Sequence, residues 1–336
     1  MTSTHLWDPR REPCGGLIFA IVPRVAAQSA WWLRVSAGVI LKSKPISWTK
    51  TFFSRNCPCG SLKKSYECCW GGSGRWEKTT VGVIDGNGPA PSFANDRCYL
   101  SVLGNCGSKI TREHFVSRSI LERITTGALR FQGAGHFFGG RDQIEIGIDS
   151  FSAKVLCDKH NASLSVLDTA ANQAFSTIEV LGRDSESATS GDRVTSFHLS
   201  SGLDIERWMI KVYCGLVAAK KIRSRSGRTL QRSDLDPCLL SCLLGVCSLL
   251  DPIGLYVETS VGQQLKTGAM SFGTIQLPDG SDEVGGLILS LSLMTFVLVT
   301  SPRYEHAFQN PNWHRHQSLA WNVRQGNARV GYLFTD

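Results

Sequence analysis

The sequence lacks any run of about 20 consecutive apolar residues, the length that a membrane-spanning helix requires. Its first apolar segment, residues 17–22, is short and is followed directly by Pro23 and Arg24. The mixed acidic and basic residues at positions 8–12 also differ from the basic start of a secretory signal peptide. From these absences we expect a cytoplasmic protein that does not contact a membrane.

The composition also lacks the high charge and low hydrophobicity of a disordered chain. Hydrophobic residues make up 42% and charged residues 19%, which is typical of a folded protein. The 336 residues suffice for about two domains. The net charge of +8 suits a polyanionic partner such as nucleic acid. Twelve cysteines would suit disulfides in a secreted protein, but their clustering with histidine favours reduced thiols that bind metal.

The most specific motif lies in residues 55–72. Four cysteines, two in a Cys-Pro-Cys-Gly-Ser segment and two adjacent, fall at positions 57, 59, 68 and 69. Four sulfurs at this spacing predict one tetrahedral zinc site. A segment this short cannot bury a hydrophobic core, so the metal must supply most of its folding free energy.

This segment resembles the SEC-C motif, a small zinc knuckle with the pattern C-P-C-G-S-G-K followed by C-[CH]. The resemblance implies that the zinc ligands are Cys57, Cys59, Cys68 and Cys69. Leu62 stands where the family usually has glycine, which removes no ligand. Because SEC-C motifs occur in the tail of the bacterial secretion ATPase and beside many other domains, the resemblance also implies a contact with a protein partner or the ribosome.

Two kinds of metal-ligating residue occur between positions 98 and 161. The soft ligands, which together match one closed zinc site of Cys3His type, are Cys98, Cys106, Cys157 and His160. The hard ligands, which predict a second and open metal site, are Glu113, His114 and Asn161.

This stretch resembles the HNH endonucleases, a ββα-metal family. In that family an acidic-His dipeptide ends a strand, and a C-x-x-C-[HN] knuckle opens the following helix; here these are Glu113-His114 and residues 157–161. The resemblance implies metal-dependent hydrolysis of DNA phosphodiester bonds, with His114 as general base. It implies that Glu113 and Asn161 hold Mg²⁺ or another divalent cation. The zinc site would only fix the geometry between strand and helix.

A second interpretation stays open, in which the chain retains the HNH scaffold without the chemistry. The middle asparagine of the HNH pattern has no counterpart here, and Cys98 and Cys106 are farther apart than the usual C-x-x-C pair. The intact Glu113-His114 dipeptide favours the enzyme. The alternative is a zinc-binding module that contacts nucleic acid or protein.

The expected fold is α+β, with a SEC-C knuckle, a treble-clef or HNH-like ββα zinc unit and a C-terminal α+β region. The expected segments are a peripheral extension at 1–54, the knuckle at 55–72, a flexible linker at 73–95, the HNH-like domain at 96–182, a loop at 183–202 and the C-terminal region at 203–336.

Two further patterns concern helices. Apolar residues at helical spacing predict the long helix of the ββα unit over 162–178 and a second helix over 203–222. The second ends in a basic run, residues 220–228, which is either a phosphate-contacting patch or a solvated helix end. Cys238, Cys242 and Cys247 lie in an apolar stretch, where core thiols are expected and a metal site is the alternative.

Overall fold

The α+β class is confirmed by a computed structural model. It describes residues 33–35, 56–57, 59, 61–70, 78, 80–84, 93–125, 127–132, 143–187, 195–258, 270–291, 294–304, 310, 313–315, 320–325 and 328–335. The α-helices are α1 (Arg118–Ile124), α2 (Asp158–Ser187), α3 (Gly202–Ala218) and α4 (Pro237–Leu243). Within the described residues, none of the helices combines the length and apolar character needed to span a bilayer.

The described strands form four separate sheets. They are β1 (Leu33–Val35), β2 (Ile110–His114), β3 (Ala128–Gln132), β4 (Gln143–Gly147), β5 (Ser152–Cys157), β6 (Thr195–Ser201), β7 (Gly254–Glu258), β8 (Met270–Gln276), β9 (Val284–Leu291), β10 (Met294–Val299), β11 (Trp313–Arg315), β12 (Ala320–Gln325) and β13 (Ala328–Thr335). Two sheets are the pairs β2-β5 and β3-β4, and the larger sheets have the orders β1-β12-β13-β6 and β11-β7-β10-β9-β8.

A ββα unit is built from β2, β5 and α2. The two strands pair antiparallel, with Ile110 opposite Cys157 and His114 opposite Ser152. Strand β5 ends at Cys157, and α2 begins at the next residue. The predicted apolar face of α2 is confirmed, because its buried side chains are Leu164, Leu167, Ala171, Ala174, Phe175 and Ile178. The helix is longer than expected and continues to Ser187.

Helix α3 lies at the centre of the molecule. The Ser201 hydroxyl caps its start by accepting a hydrogen bond from the Asp204 amide at 3.0 Å. On one side the Trp208 ring meets Phe175 of α2 at 5.4 Å between centroids, and Phe175 in turn meets Phe296 of β10 at 5.5 Å. The ββα unit and the C-terminal region therefore share one hydrophobic core, so the predicted domain division near residue 182 is not a packing boundary.

The predicted loop at 183–202 is wrong for most of its described residues. Residues 183–187 continue α2, residues 195–201 form β6, and residue 202 begins α3. Strand β6 pairs in parallel with β13, which comes from the far end of the chain. A short polar segment gives little local indication of a strand whose partner lies over a hundred residues away.

The predicted linker at 73–95 is anchored where the structure describes it. The Val81 amide donates to the Asp204 carboxylate at 2.9 Å, and the Val81 carbonyl accepts from the Arg207 guanidinium. The Ile84 amide donates to the Leu244 carbonyl at 2.8 Å. Residues 80–84 are thus fixed to α3 and the end of α4. Of the predicted extension at 1–54, only β1 lies among the described residues, and it pairs in parallel with β12.

Candidate metal centres

Four buried side chains converge at the junction of β5 and α2. Cys157 is the last residue of β5, His160 lies in the first turn of α2, and Cys98 and Cys106 come from the loop before β2. The distances from His160 Nδ1 to the Sγ atoms of Cys98, Cys106 and Cys157 are 3.3, 3.7 and 3.2 Å. The sequence-predicted Cys3His group is therefore arranged so that it can hold a metal ion.

Local backbone geometry explains why the four side chains meet. Cys157 and His160 are three residues apart across a helix start, so their side chains share one face. The Gly107 amide donates to Cys157 Sγ at 3.2 Å, which brings the loop carrying Cys106 against β5. A side chain at Gly107 would collide with Asp158, whose Oδ1 would lie 1.9 Å from an added Cβ. A larger residue at position 107 would therefore require the Asp158 side chain to move.

Asn105 orients the histidine ligand, and sequence reasoning gave it no role. Its Oδ1 lies 2.7 Å from His160 Nε2, and an amide oxygen can only accept. Nε2 must then carry the proton, which leaves the Nδ1 lone pair facing the three sulfurs. Such a hydrogen bond on the distal nitrogen is a usual feature of metal-bound histidine. Burial, aided by Lys159, lowers the pKa of His160 to about 4, so the ring is neutral.

The thiols of this group sit in an environment that disfavours an uncompensated thiolate. Burial raises the pKa of Cys98 and of Cys106 above the ordinary value. A bound cation would reverse this preference, since thiolates are the ligating form. Three cysteine sulfurs and one imidazole nitrogen, all within 4.8 Å of one another, form a donor set that fits a metal ion.

The second group lies in the knuckle, of which the structure describes residues 56–57, 59 and 61–70. The sulfurs of Cys57, Cys59, Cys68 and Cys69 all lie within 4.8 Å of one another. Cys68 Sγ is 3.5 Å from Cys59 Sγ and 3.6 Å from Cys69 Sγ. The turn between the two cysteine pairs is closed by the Cys57 amide, which donates to the Lys63 carbonyl at 2.6 Å. The four predicted ligands are brought together as the sequence indicated.

The knuckle is packed on the rest of the protein, although the sequence led us to expect a tether. Gln173 of α2 donates from Nε2 to the Cys59 carbonyl at 2.5 Å and accepts from Lys78 at 3.3 Å. Leu199 of β6 packs against the cysteine side chains. The knuckle thus contacts both α2 and β6.

Glu113, a predicted ligand of the open metal site, faces the interior. It is buried and forms an ion pair with Lys211 of α3. The same ammonium lies 2.5 Å from Asp168 Oδ2 of α2. Burial raises the pKa of Glu113 to about 7, against the lowering effect of Lys211. Burial also acts to lower the pKa of Lys211, but the two carboxylates outweigh it and raise that pKa above its usual value.

The carboxylate network continues away from Glu113. Asp168 accepts a hydrogen bond from the Ser117 hydroxyl at 2.5 Å, and Ser117 accepts from the Trp208 indole at 3.0 Å. Sequence reasoning missed Lys211 and Asp168. The available indication was Lys211 itself, because a lysine three residues after Trp208 falls on the apolar face of α3 and must find a partner there.

His114 lies on the opposite face of β2 from Glu113, as successive strand residues do. Its Nε2 is 3.8 Å from Asp149 Oδ1 and, among the described residues, has no hydrogen-bond partner. Burial and the nearby Arg118 lower the pKa of His114. Asn161 donates to Thr111 Oγ1 at 3.0 Å and to the Arg112 carbonyl at 3.1 Å, so its amide ties α2 to β2.

The three predicted catalytic residues therefore do not converge on one point. In the part of the chain that the structure describes, the groups arranged to hold a metal ion include neither Glu113 nor His114. The roles assigned to Glu113, His114 and Asn161 remain predictions.

A third group of cysteines lies at α4 and the turn that follows, where Cys242 and Cys247 are free thiols and Cys238 is disulfide-bonded. Cys238, Cys242 and Cys247 offer three sulfurs within 4.8 Å of one another, and Cys242 Sγ is 2.9 Å from Cys247 Sγ. This group has one sulfur fewer than the knuckle, and Cys242 is buried among core residues.

Comparison with known proteins gives no further guide. The chain matches no protein-family model, no curated protein and no solved structure.

Proposed function

We propose that this chain is a zinc-stabilised binding protein in which an HNH-like ββα unit has lost its catalytic cation and contacts nucleic acid. Three features support this proposal: the geometry of the two four-ligand groups, the ammonium held by Glu113, and a loop of uncompensated cations after α3.

Zinc is favoured by the donor atoms and their separations. With Zn–S near 2.3 Å and Zn–N near 2.0 Å, a tetrahedral ion places sulfur and nitrogen about 3.6 Å apart and two sulfurs about 3.8 Å apart. The separations of 3.2–3.7 Å around His160 and of 3.5–3.6 Å at Cys68 lie near these values. Closed thiolate and imidazole sets of four are typical of structural zinc. The resemblance to SEC-C and HNH zinc sites agrees with this assignment.

The observation that carries the proposal is the position of Lys211. Its side chain is 1% exposed, and its ammonium pairs with both Glu113 and Asp168. A divalent cation bound by Glu113 would have to displace this ammonium or lie beside it in the interior, where like charges repel strongly. The positive charge that the HNH resemblance assigns to a metal ion is thus already supplied by a side chain.

The proposed nucleic-acid surface is the basic loop, defined as residues 220–228. The loop is closed by the Ser224 amide, which donates to the Arg228 carbonyl at 2.8 Å, and by Ser226, which donates twice to Asp282 at 2.7 Å. Arg228 is compensated by Asp234 at 3.0 Å. Within the described residues, the loop cations that form no ion pair are Lys220, Lys221, Arg223 and Arg225. An ordered loop with free cations is suited to phosphate contact.

Removing two loop cations should weaken nucleic-acid binding through charge. We expect the double variant Arg223→Gln/Arg225→Gln to reduce the slope of log K against log salt by about 0.9 per lost phosphate contact on duplex DNA. The measurement is a salt titration of fluorescence anisotropy. The charge-matched control is Arg97→Gln/Lys109→Gln, since both residues are exposed and form no ion pair among the described residues. Equal slopes for the two double variants would contradict a role for the basic loop.

A second candidate, a metal-dependent endonuclease, is favoured by one observation. His114 Nε2 lacks a hydrogen-bond partner within the described residues, and its lowered pKa keeps the ring neutral near pH 7, as a general base requires. This candidate predicts that the unaltered protein nicks plasmid DNA when Mg²⁺ or Mn²⁺ is added. It predicts that His114→Ala slows nicking by roughly 10²–10⁴-fold without loss of zinc.

The binding proposal predicts no cleavage above the background of His114→Ala, at any concentration of either cation. Nicking by the unaltered protein that His114→Ala abolishes would replace the binding proposal by the nuclease.

A further inference from the structure

The outer side of the knuckle exposes a leucine in a strained conformation. Leu62 has a φ of +62°, in the left-handed region where a residue with a Cβ is disfavoured. Its side chain is 80% exposed. Leu62 therefore adds nothing to the hydrophobic core and makes its own turn less favourable than glycine would. The backbone strain at Leu62 is not offset by burial of its side chain, which points to a functional constraint on that side chain.

Three more exposed side chains follow Leu62 within the next four positions of the chain. Tyr66 is 59% exposed. Lys63 and Lys64 are exposed as well, and neither has an ion-pair partner among the described residues. We call Leu62, Lys63, Lys64 and Tyr66 the knuckle face.

We infer that the knuckle face binds single-stranded nucleic acid, with a base stacked on Tyr66, an apolar contact from Leu62, and phosphates near Lys63 and Lys64. An exposed ring beside free cations matches a strand that offers both base faces and phosphates. A duplex hides its base faces within the stack, so it would satisfy the lysines but not the ring. This inference deepens the proposed nucleic-acid binding and rests on it.

The charge of the chain agrees with this choice of partner. Its net charge of +8 disfavours a basic partner, and an acidic peptide would supply charge without planar groups for the ring. The knuckle face and the basic loop are attached to different elements. The knuckle packs on α2 and β6, whereas the basic loop comes directly after α3 in the chain. Substitutions in one can therefore be made without altering the other.

The test compares a fluorescein-labelled dT12 strand with the dT12·dA12 duplex, by anisotropy with the zinc-loaded full chain. We expect Tyr66→Ala to weaken binding of the single strand by roughly 5–100-fold and to leave duplex binding unchanged. Tyr66→Phe keeps the ring and should bind as the unaltered protein does. The matched control is Phe93→Ala, which removes another exposed ring and should change neither affinity.

Leu62→Gly separates binding from folding. We expect it to keep its zinc and to be at least as stable as the unaltered protein, because glycine relieves the left-handed strain. It should nevertheless weaken single-strand binding by about fivefold through the lost apolar contact.

Unchanged single-strand affinity in both Tyr66→Ala and Leu62→Gly would overturn the inference. The knuckle face would then be assigned to contact with a protein partner. The basic-loop result would still stand in that case. If the unaltered protein bound neither the strand nor the duplex, the proposed function itself would fail.

Discussion

The variant Cys157→Ser should lose one zinc ion and unfold the central core. Cys157 is fully buried where β5 meets α2, and its ion would join the loop before β2 to the first turn of the long helix. A structural zinc supplies folding free energy on the order of 10 kcal/mol, which is comparable to the whole stability of a typical domain. The measurements are zinc content together with urea unfolding followed by circular dichroism.

Cys59→Ser is the matched control for this variant. It also removes one thiolate from a four-ligand group, but its group lies at the periphery, against Gln173 and Leu199. We expect it to lose one zinc ion while the unfolding transition of the core remains. A Cys157→Ser protein that is folded and retains its full zinc content would rule out the Cys3His site.

Lys211→Met should destabilise the protein by about 3–5 kcal/mol, because it leaves the buried Glu113 and the partly exposed Asp168 without a cation. Methionine keeps most of the side-chain volume, so the loss of charge rather than a cavity is measured. Urea unfolding at pH 7 gives the change in free energy of unfolding.

Two companion variants make the cause of that loss testable. Lys211→Met/Glu113→Gln removes one of the uncompensated charges and should recover part of the stability. Lys154→Met, at an exposed position of β5, should change stability little. If Lys211→Met were as stable as the unaltered protein, the ammonium would not be the partner of Glu113, and the main argument against a catalytic cation would be lost.

The ligand groups could be predicted because their chemistry is largely local. Cys157 and His160 are three residues apart at a helix start, and the four knuckle cysteines fall within thirteen positions. The ββα order was expected from the resemblance of Glu113-His114 and residues 157–161 to the HNH pattern, and the apolar period over 162–178 predicted the long helix.

The partners of these residues could not be predicted because they come from distant segments. Lys211 reaches Glu113 across about a hundred residues of chain, and β6 becomes a strand only because β13 pairs with it. The Gln173 side chain holds the knuckle by donating a hydrogen bond to the Cys59 backbone carbonyl. No local sequence pattern reveals this contact. Whether Glu113 acts as a metal ligand or as part of a buried ion pair depends on its neighbours in the fold, and the identity of the residue alone does not reveal them.

The most direct test of the zinc-stabilised scaffold is the metal content of the purified full chain, by mass spectrometry under native conditions and by elemental analysis. We expect two zinc ions per chain, one for each four-ligand group. Removal of the ion at Cys157 by a strong chelator should coincide with loss of the folded core. A folded chain that contains no zinc, or that stays folded after all metal is removed, would contradict the scaffold.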